Sequence, residues 1–458
     1  KIEPKSGEMS LAWQILMPPF DYDLGDAGKL ASDGWMFLTS YNTERATGKL
    51  EVTASQRDQD YIAAVDWRAA EKAVADGKFD TIGGVKVIDP KKVPGIVYLM
   101  PCGKSPHGVD VSPDGKWIAF VADARLRPDS VVDLERDALA TLPYNKARDE
   151  ADRNDTDLYV VASTGGTPRK VSEWMGAESD ITWSPDSKQL AFVGRPTRVK
   201  SARIYVVDMA GGMPRNLLGD WQFEPGSLSW LTTGHLQFAA DIGGRSAILR
   251  ADLTGKTAPK ELVGGRRQLR GVSYDAAAKV MAYTSTSMTK PTELFVATAD
   301  GTGERQLTRF NDDVNTDVVW SDADRFTYKS VGNLEIEGWL MKPYGYSPGK
   351  KYPMVIYIHG GPHSAYGEGW FDEFQNLAAQ GMFVLFTNPR GSSGYGGDFT
   401  YSTRGRWGME DYDDLMKAVD IVATRADVDS TKMGATGGSY GGFMTTWIAT
   451  KTDRFKAI

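Results

Sequence analysis

The sequence predicts a β-propeller followed by the first part of a parallel α/β domain. Three observations carry this expectation: a strand–turn–strand unit at constant spacing, a Pro-Asp turn recurring between its copies, and a change of pattern near Tyr352. Four copies of the first unit are legible, DLYVVASTGGTPRKV from Asp157, RIYVVDMAGGMPRNL from Arg203, AILRADLTGKTAPKEL from Ala247 and ELFVATADGTGERQL from Glu293. They lie roughly 44 to 46 residues apart, the period of a propeller blade. A β-sandwich, the alternative, leaves that regular period unexplained.

The second unit reads SPDGKWIAFVAD from Ser112 and SPDSKQLAFVGR from Ser184, with weaker echoes in SYDAAAKVMAYTS and WSDADRFTYKS. Proline pre-sets the turn and aspartate bonds its own backbone, so each copy feeds an alternating strand as a hairpin does. Residues 125–156 interrupt the repeat with a charge-rich stretch, read as a solvated insertion containing a short exposed helix. From Tyr352 the pattern changes. YPMVIYIHG and MFVLFTNPRG are compact apolar runs ending in turns, as buried parallel strands are. WFDEFQNLAAQG and MEDYDDLMKAVDIVATRA have helical spacing, and KMGATGGSYGG reads as a strand running into a tight turn.

A chain of 458 residues can form two or three domains with sizeable cores. Its 41% hydrophobic and 25% charged residues are ordinary for a globular protein. A net charge of −7 offers no support for a nucleic-acid partner. Cys102 is the only cysteine, which excludes an intrachain disulfide and a multi-cysteine zinc site. No run of 18 apolar residues suggests a membrane-spanning helix, and KIEPKSGEMS lacks the apolar stretch of a signal peptide. The compartment is not readable, since the chain begins with lysine.

Gly437-Gly438-Ser439-Tyr440-Gly441 matches G-x-S-x-G in a strand–turn–helix setting, which lifts a serine hydroxyl clear of the sheet. Ser439 is the candidate nucleophile, and the Tyr440 N–H lies where an oxyanion would form. A second donor is expected from the loop after an earlier strand, where HGGP at 359–362 offers the Gly361 N–H. The expected fold is therefore a β-propeller followed by a partial α/β-hydrolase domain.

HGGP, NPRGSSGYG from Asn388 and GGSYGG from Gly437, behind a propeller, resemble the prolyl oligopeptidase family of serine peptidases, closest to its dipeptidyl- and acylaminoacyl-peptidase branches. The resemblance covers roughly Trp117 to Ile458. It implies that Ser439 attacks short peptides through an acyl-enzyme, with Tyr440 and Gly361 as oxyanion donors. It also implies a propeller that restricts access to the site. In that family Asp and His follow the nucleophile, but the 19 residues after Ser439 contain no histidine, and Asp453 comes too soon. Residues 1–458 alone are therefore expected to be inactive.

Residues 1–116 carry a different resemblance. SDGWMFLTSYNTE, RDQDYIAAVDWRAAEKAV and GGVKVIDPKKVPGIVYLMPCGKSPHGVDVSPDGK are similar to nitrous-oxide reductase, a copper enzyme with a propeller domain. His107 matches a copper-ligand position of that family. The chain has only four histidines, His107, His235, His359 and His363, so a multi-copper centre has no ligand set and no cofactor is expected. The expected division is 1–116 and 117–333 as propeller blades of two origins and 334–458 as the incomplete catalytic domain. The readings from other classes are a non-catalytic propeller scaffold and a reductase remnant.

Overall fold

The computed structural model describes residues 11–458 except 19, 29, 42–59, 103–106, 124–155, 165, 173–175, 198 and 233. The charged insertion expected over 125–156, apart from Thr156, and the leading KIEPKSGEMS lie outside the described residues.

Among the described residues five four-stranded antiparallel sheets follow one another, and in each the strand order is the chain order. The first comprises Asp21–Ala27, Trp35–Tyr41, Asp60–Asp66 and Val97–Cys102. The second comprises His107–Val111, Trp117–Asp123, Thr156–Ala162 and Arg169–Lys170, and the third Ala177–Trp183, Gln189–Arg195, Arg203–Asp208 and Arg215–Asn216. The fourth runs from Pro225 to Val263 and the fifth from Gln268 to Gln306. The recurring unit of the sequence is the third and fourth strands of the second to fifth sheets. His107 opens the second sheet, opposite Val121.

Local chemistry explains the hairpins. The Ser112 hydroxyl lies 2.6 Å from Asp114 Oδ1 and accepts from the Trp117 N–H at 2.9 Å; Ser184, Asp186 and Gln189 repeat both distances. The turn at 112–116, where the two resemblances meet, lies inside one hairpin of the second sheet. Side chains then tie sheet to sheet. Asp110 accepts from the Trp183 N–H at 3.0 Å, and Asp180 accepts from the Leu228 N–H at 3.1 Å. Apolar residues fill the gaps between neighbouring sheets: Phe37, Ile62, Ile118 and Phe120 in one, Val121, Leu158, Leu190 and Phe192 in the next.

A six-stranded mixed sheet follows. Its strands are β1 (Ala323–Lys329), β2 (Glu335–Met341), β3 (Tyr352–Ile358), β4 (Phe383–Asn388), β5 (Val428–Gly437) and β6 (Phe455–Ala457). The spatial order is β1-β2-β4-β3-β5-β6, with β1–β2 and β2–β4 antiparallel and the other pairs parallel. The two helices expected from spacing form α1 (Asp372–Ala379) and α2 (Glu410–Ala423), and the helix of the strand–turn–helix motif is α3 (Tyr440–Lys451). Alternation decides the faces. Met354, Ile356 and Ile358 of β3 pack with Leu415, Val419 and Val422 of α2 and Met444 and Ile448 of α3, while Val355 faces Phe374 and Ala378 of α1.

One strand differs from expectation. WSDADRFTYKS reads as a weak blade echo, but its alternating residues form β1, which pairs along its whole length with β2. A period-2 pattern marks a half-buried strand without naming the sheet it joins.

Candidate active site

Strand β5 ends at Gly437 and α3 begins at Tyr440, so Ser439 occupies the turn between them. Its backbone lies at φ 57° and ψ −119°, a conformation that L-residues hold only under compulsion from their surroundings. The compulsion is visible in the flanking glycines. A Cβ on Gly437 would lie 2.5 Å from the Ile358 carbonyl oxygen, and one on Gly441 would lie 2.1 Å from the same atom. The turn is thus pressed against the end of β3 as only glycine permits, and Ser439 is left exposed at the top of the sheet.

The HGGP loop leaves the end of β3 beside this turn. A Cβ on Gly360 would sit 3.3 Å from Ser439 Cβ and 3.8 Å from its Oγ. Gly361 has φ +116°, and a Cβ there would strike the His363 and Ser364 amides. Ser439, Tyr440 and the Gly360–Gly361 segment are therefore brought together. Among the described residues neither the Gly361 nor the Tyr440 N–H has an acceptor, which leaves both donors available to a ligand oxygen.

The histidines of this loop are engaged elsewhere. His359 is buried; its Nδ1–H donates to the Gly360 carbonyl at 2.7 Å, and Nε2 meets the Ser392 hydroxyl at 2.8 Å. Burial holds its pKa below the ordinary histidine value. His363 Nδ1 donates to the Gly391 carbonyl at 3.1 Å. The Ser439 hydroxyl has no hydrogen bond among the described residues, so no base stands beside it there. His107 begins the first strand of the second sheet and is not part of this site. Among the described residues no three His, Cys, Asp or Glu side chains converge as a metal site would need.

Several polar residues of the site escape a reading of the sequence. Tyr440 was singled out for its backbone, yet its side chain is buried and its hydroxyl donates to Asp411 Oδ2 at 2.6 Å. Burial and the Asp411 carboxylate hold that phenol well above its ordinary range. Asp414, also fully buried, takes both the Nε and an Nη of Arg390 at 2.8 and 2.9 Å. Helical spacing alone does not say which acids of EDYDD turn inward; the spacing of three between Asp411 and Asp414 was the available signal that both share one side.

Comparison with known proteins agrees with this geometry. Residues 370–458 match the prolyl oligopeptidase family. The chain is 45% identical over 169 residues to the uncharacterized peptidase YuxL of Bacillus subtilis, covering 37% of this chain and 26% of that protein. It is 27% identical over 465 residues to dipeptidyl-peptidase 5 of Aspergillus oryzae, covering 95% of this chain and 62% of that one. The chain thus spans about three fifths of the length of the dipeptidyl-peptidases it matches. Among solved structures, the Pyrococcus horikoshii acylaminoacyl peptidase superposes with TM-score 0.59 at 20% identity, over 95% of this chain and 69% of that one. A puromycin-hydrolyzing peptidase of Mycobacterium tuberculosis superposes with TM-score 0.66 at 18% identity, over all of this chain and 64% of that one. The elbow at Ser439 and the glycine loop facing it thus lie in or beside a segment, residues 370–458, that matches the prolyl oligopeptidase family, in a chain similar over most of its length to dipeptidyl-peptidases and in fold to an acylaminoacyl peptidase.

Proposed function

We propose that Ser439 is the nucleophile of a serine peptidase that cleaves short peptides. The observation that carries this is the strained backbone of Ser439, held by Gly437 and Gly441 opposite the Gly360–Gly361 loop. In this reading Oγ attacks the scissile carbonyl carbon after losing its proton to a base, and the oxygen becomes an oxyanion held by the Tyr440 and Gly361 N–H groups. The C–N bond then breaks, the amine leaves with a proton, and an acyl ester remains on Ser439 until water hydrolyses it. The five preceding sheets are read as propeller blades that limit access to short substrates, with the catalytic fold as an α/β-hydrolase. Among the described residues no histidine stands beside Ser439, so hydrolysis by residues 1–458 alone is expected at or below the roughly 10³–10⁴-fold residual that oxyanion donors and binding supply without a triad. The test is a fluorophosphonate probe on the full-length gene product. An adduct that Ser439→Ala abolishes supports the reading, and one that persists in that variant removes Ser439 from the role.

A second reading is a scaffold without catalysis, favoured by one observation: His359 and His363 both bond away from Ser439. Turnover of a dipeptide-linked chromogenic substrate would exclude it. For the first quarter, the alignment to the Aspergillus relative leaves only about a twentieth of the chain outside it, which supports a single peptidase lineage. A composite origin with nitrous-oxide reductase would instead require copper retained after reconstitution or a second parent gene.

A further inference from the structure

Two oxyanion donors carried on separate loops must be held at a fixed distance from one another. We propose that helix α2 sets this distance through Asp411 and Asp414, which act as positioning residues for Tyr440 and for the Gly361 loop respectively. The proposal rests on the reading of Ser439 as nucleophile.

The first link runs from α2 to the elbow. Asp411 is completely buried and forms no ion pair among the described residues. Its Oδ2 accepts from the Tyr440 hydroxyl at 2.6 Å and from the Gly408 N–H at 3.1 Å, and its Oδ1 accepts from the Tyr412 N–H at 3.0 Å. A carboxylate in the first turn of a helix is favoured by the helix dipole, which helps it remain there without a cation. The Trp407 ring stands edge-on to Tyr440 at 5.1 Å, and Trp447 Nε1 donates to the Gly408 carbonyl at 2.8 Å. Two side chains of α3 therefore grip the Trp407–Gly408 step before α2. Since Tyr440 is the first residue of α3, fixing its side chain fixes the direction of its N–H.

The second link runs from α2 to the other donor. Asp414 binds the Arg390 backbone N–H at 3.0 Å as well as its guanidinium, and that pairing keeps the Arg390 guanidinium charged. Arg390 opens the segment that carries the Gly361 loop. The Gly391 carbonyl holds His363, the Ser392 hydroxyl meets His359, and the Ser393 N–H donates to the Ser364 carbonyl at 2.9 Å. One rigid helix thus fastens both loops, through carboxylates three residues apart on one face. Neither carboxylate needs to touch substrate, so both act through the backbone they hold.

The test uses the full-length gene product, a fluorophosphonate probe and hydrogen exchange read on peptides covering 437–443 and 359–364. Asp411→Ala and Tyr440→Phe are each expected to slow the inactivation step about tenfold while leaving the probe's initial affinity within twofold. The double variant is expected to be no slower than Asp411→Ala alone, because that substitution already removes the Tyr440–Asp411 bond. Asp411→Asn is expected to recover most of the rate, since its amide oxygen still accepts from Tyr440. Exchange should quicken only in 437–443 for Asp411→Ala and only in 359–364 for Asp414→Ala; Asp414→Asn serves where the alanine variant does not fold. Unchanged inactivation rates in folded variants, additive single effects, or loosening of both segments by every variant would overturn the proposal. Absence of labelling in the wild-type protein would sink the nucleophile reading, while the segment-specific exchange would still decide the positioning roles.

Discussion

Gly438 and Gly441 flank the same serine, yet only one is held against a neighbour. A Cβ on Gly438 meets nothing within 4 Å, whereas one on Gly441 would overlap the Ile358 carbonyl. Gly441→Ala is therefore expected to cost about 3 kcal/mol or more of stability and to abolish probe labelling, while Gly438→Ala should stay within about 1 kcal/mol of wild type. Denaturant unfolding of both variants checks this, and equal effects would refute the close approach. His359 supplies a pH signature. Its folded pKa lies below its unfolded value, so its contribution to stability is present above the ordinary pKa of 6.5 and is lost as pH falls toward the folded value. Stability should fall by up to about 1.4 kcal/mol per pH unit in that window, and His359→Gln should flatten the slope. The turn that carries Ser439 and the glycine loop facing it were legible because a strained turn needs glycines in a fixed pattern. Asp411 and Asp414 were not, because their partners lie up to 29 residues away in the chain.

Elements were legible where their causes are local. Ser-Pro-Asp turns and the Gly381 stop after α1 are written within a few residues, and the structure places hairpins and a helix end there. Contacts between sheets are not local: Asp110 and the Trp183 N–H it accepts from are 73 residues apart. Asp110→Ala would leave that buried N–H without its acceptor, and about 2 kcal/mol should be lost in equilibrium unfolding. Glu178, on the first strand of the third sheet, is buried, and among the described residues neither carboxyl oxygen has a hydrogen-bond partner of full geometry, the Ser172 hydroxyl being only a weak one. Burial, only partly opposed by Ser172, pushes its pKa up to about 8. A raised pKa gives stability that is complete below the unfolded value near 4.5 and is lost as pH rises through about 8. Glu178→Gln should remove that slope and exceed wild type by roughly 3 kcal/mol at pH 9. A variant that parallels wild type across pH 5–9 would show that Glu178 is ionised without cost.

At the scale of the molecule, a hairpin tip joins the fourth four-stranded sheet to the six-stranded one. Gly243 donates to the Gly394 carbonyl at 2.7 Å, Gly244 donates to Glu337 at 3.0 Å, and a Cβ on Gly244 would lie 2.4 Å from the Trp339 ring. Gly244→Leu is expected to wedge the two sheets apart, seen as faster proteolysis between 307 and 322 with the sheets themselves intact. Nothing in the sequence marks this pair, since Gly-Gly at a hairpin reads only as a turn. The change of architecture after the repeats was legible from period alone, but the side of the junction on which β1 falls was not. The central claim is that Ser439 is an activated nucleophile, and its most direct test is the site of covalent modification. The full-length gene product is treated with a fluorophosphonate and digested with trypsin, and the adduct is located by mass spectrometry. The expected result is a single adduct on Ser439, within the peptide from Met433 to Lys451. An adduct on another residue, or equal labelling of Ser439→Ala, would contradict it.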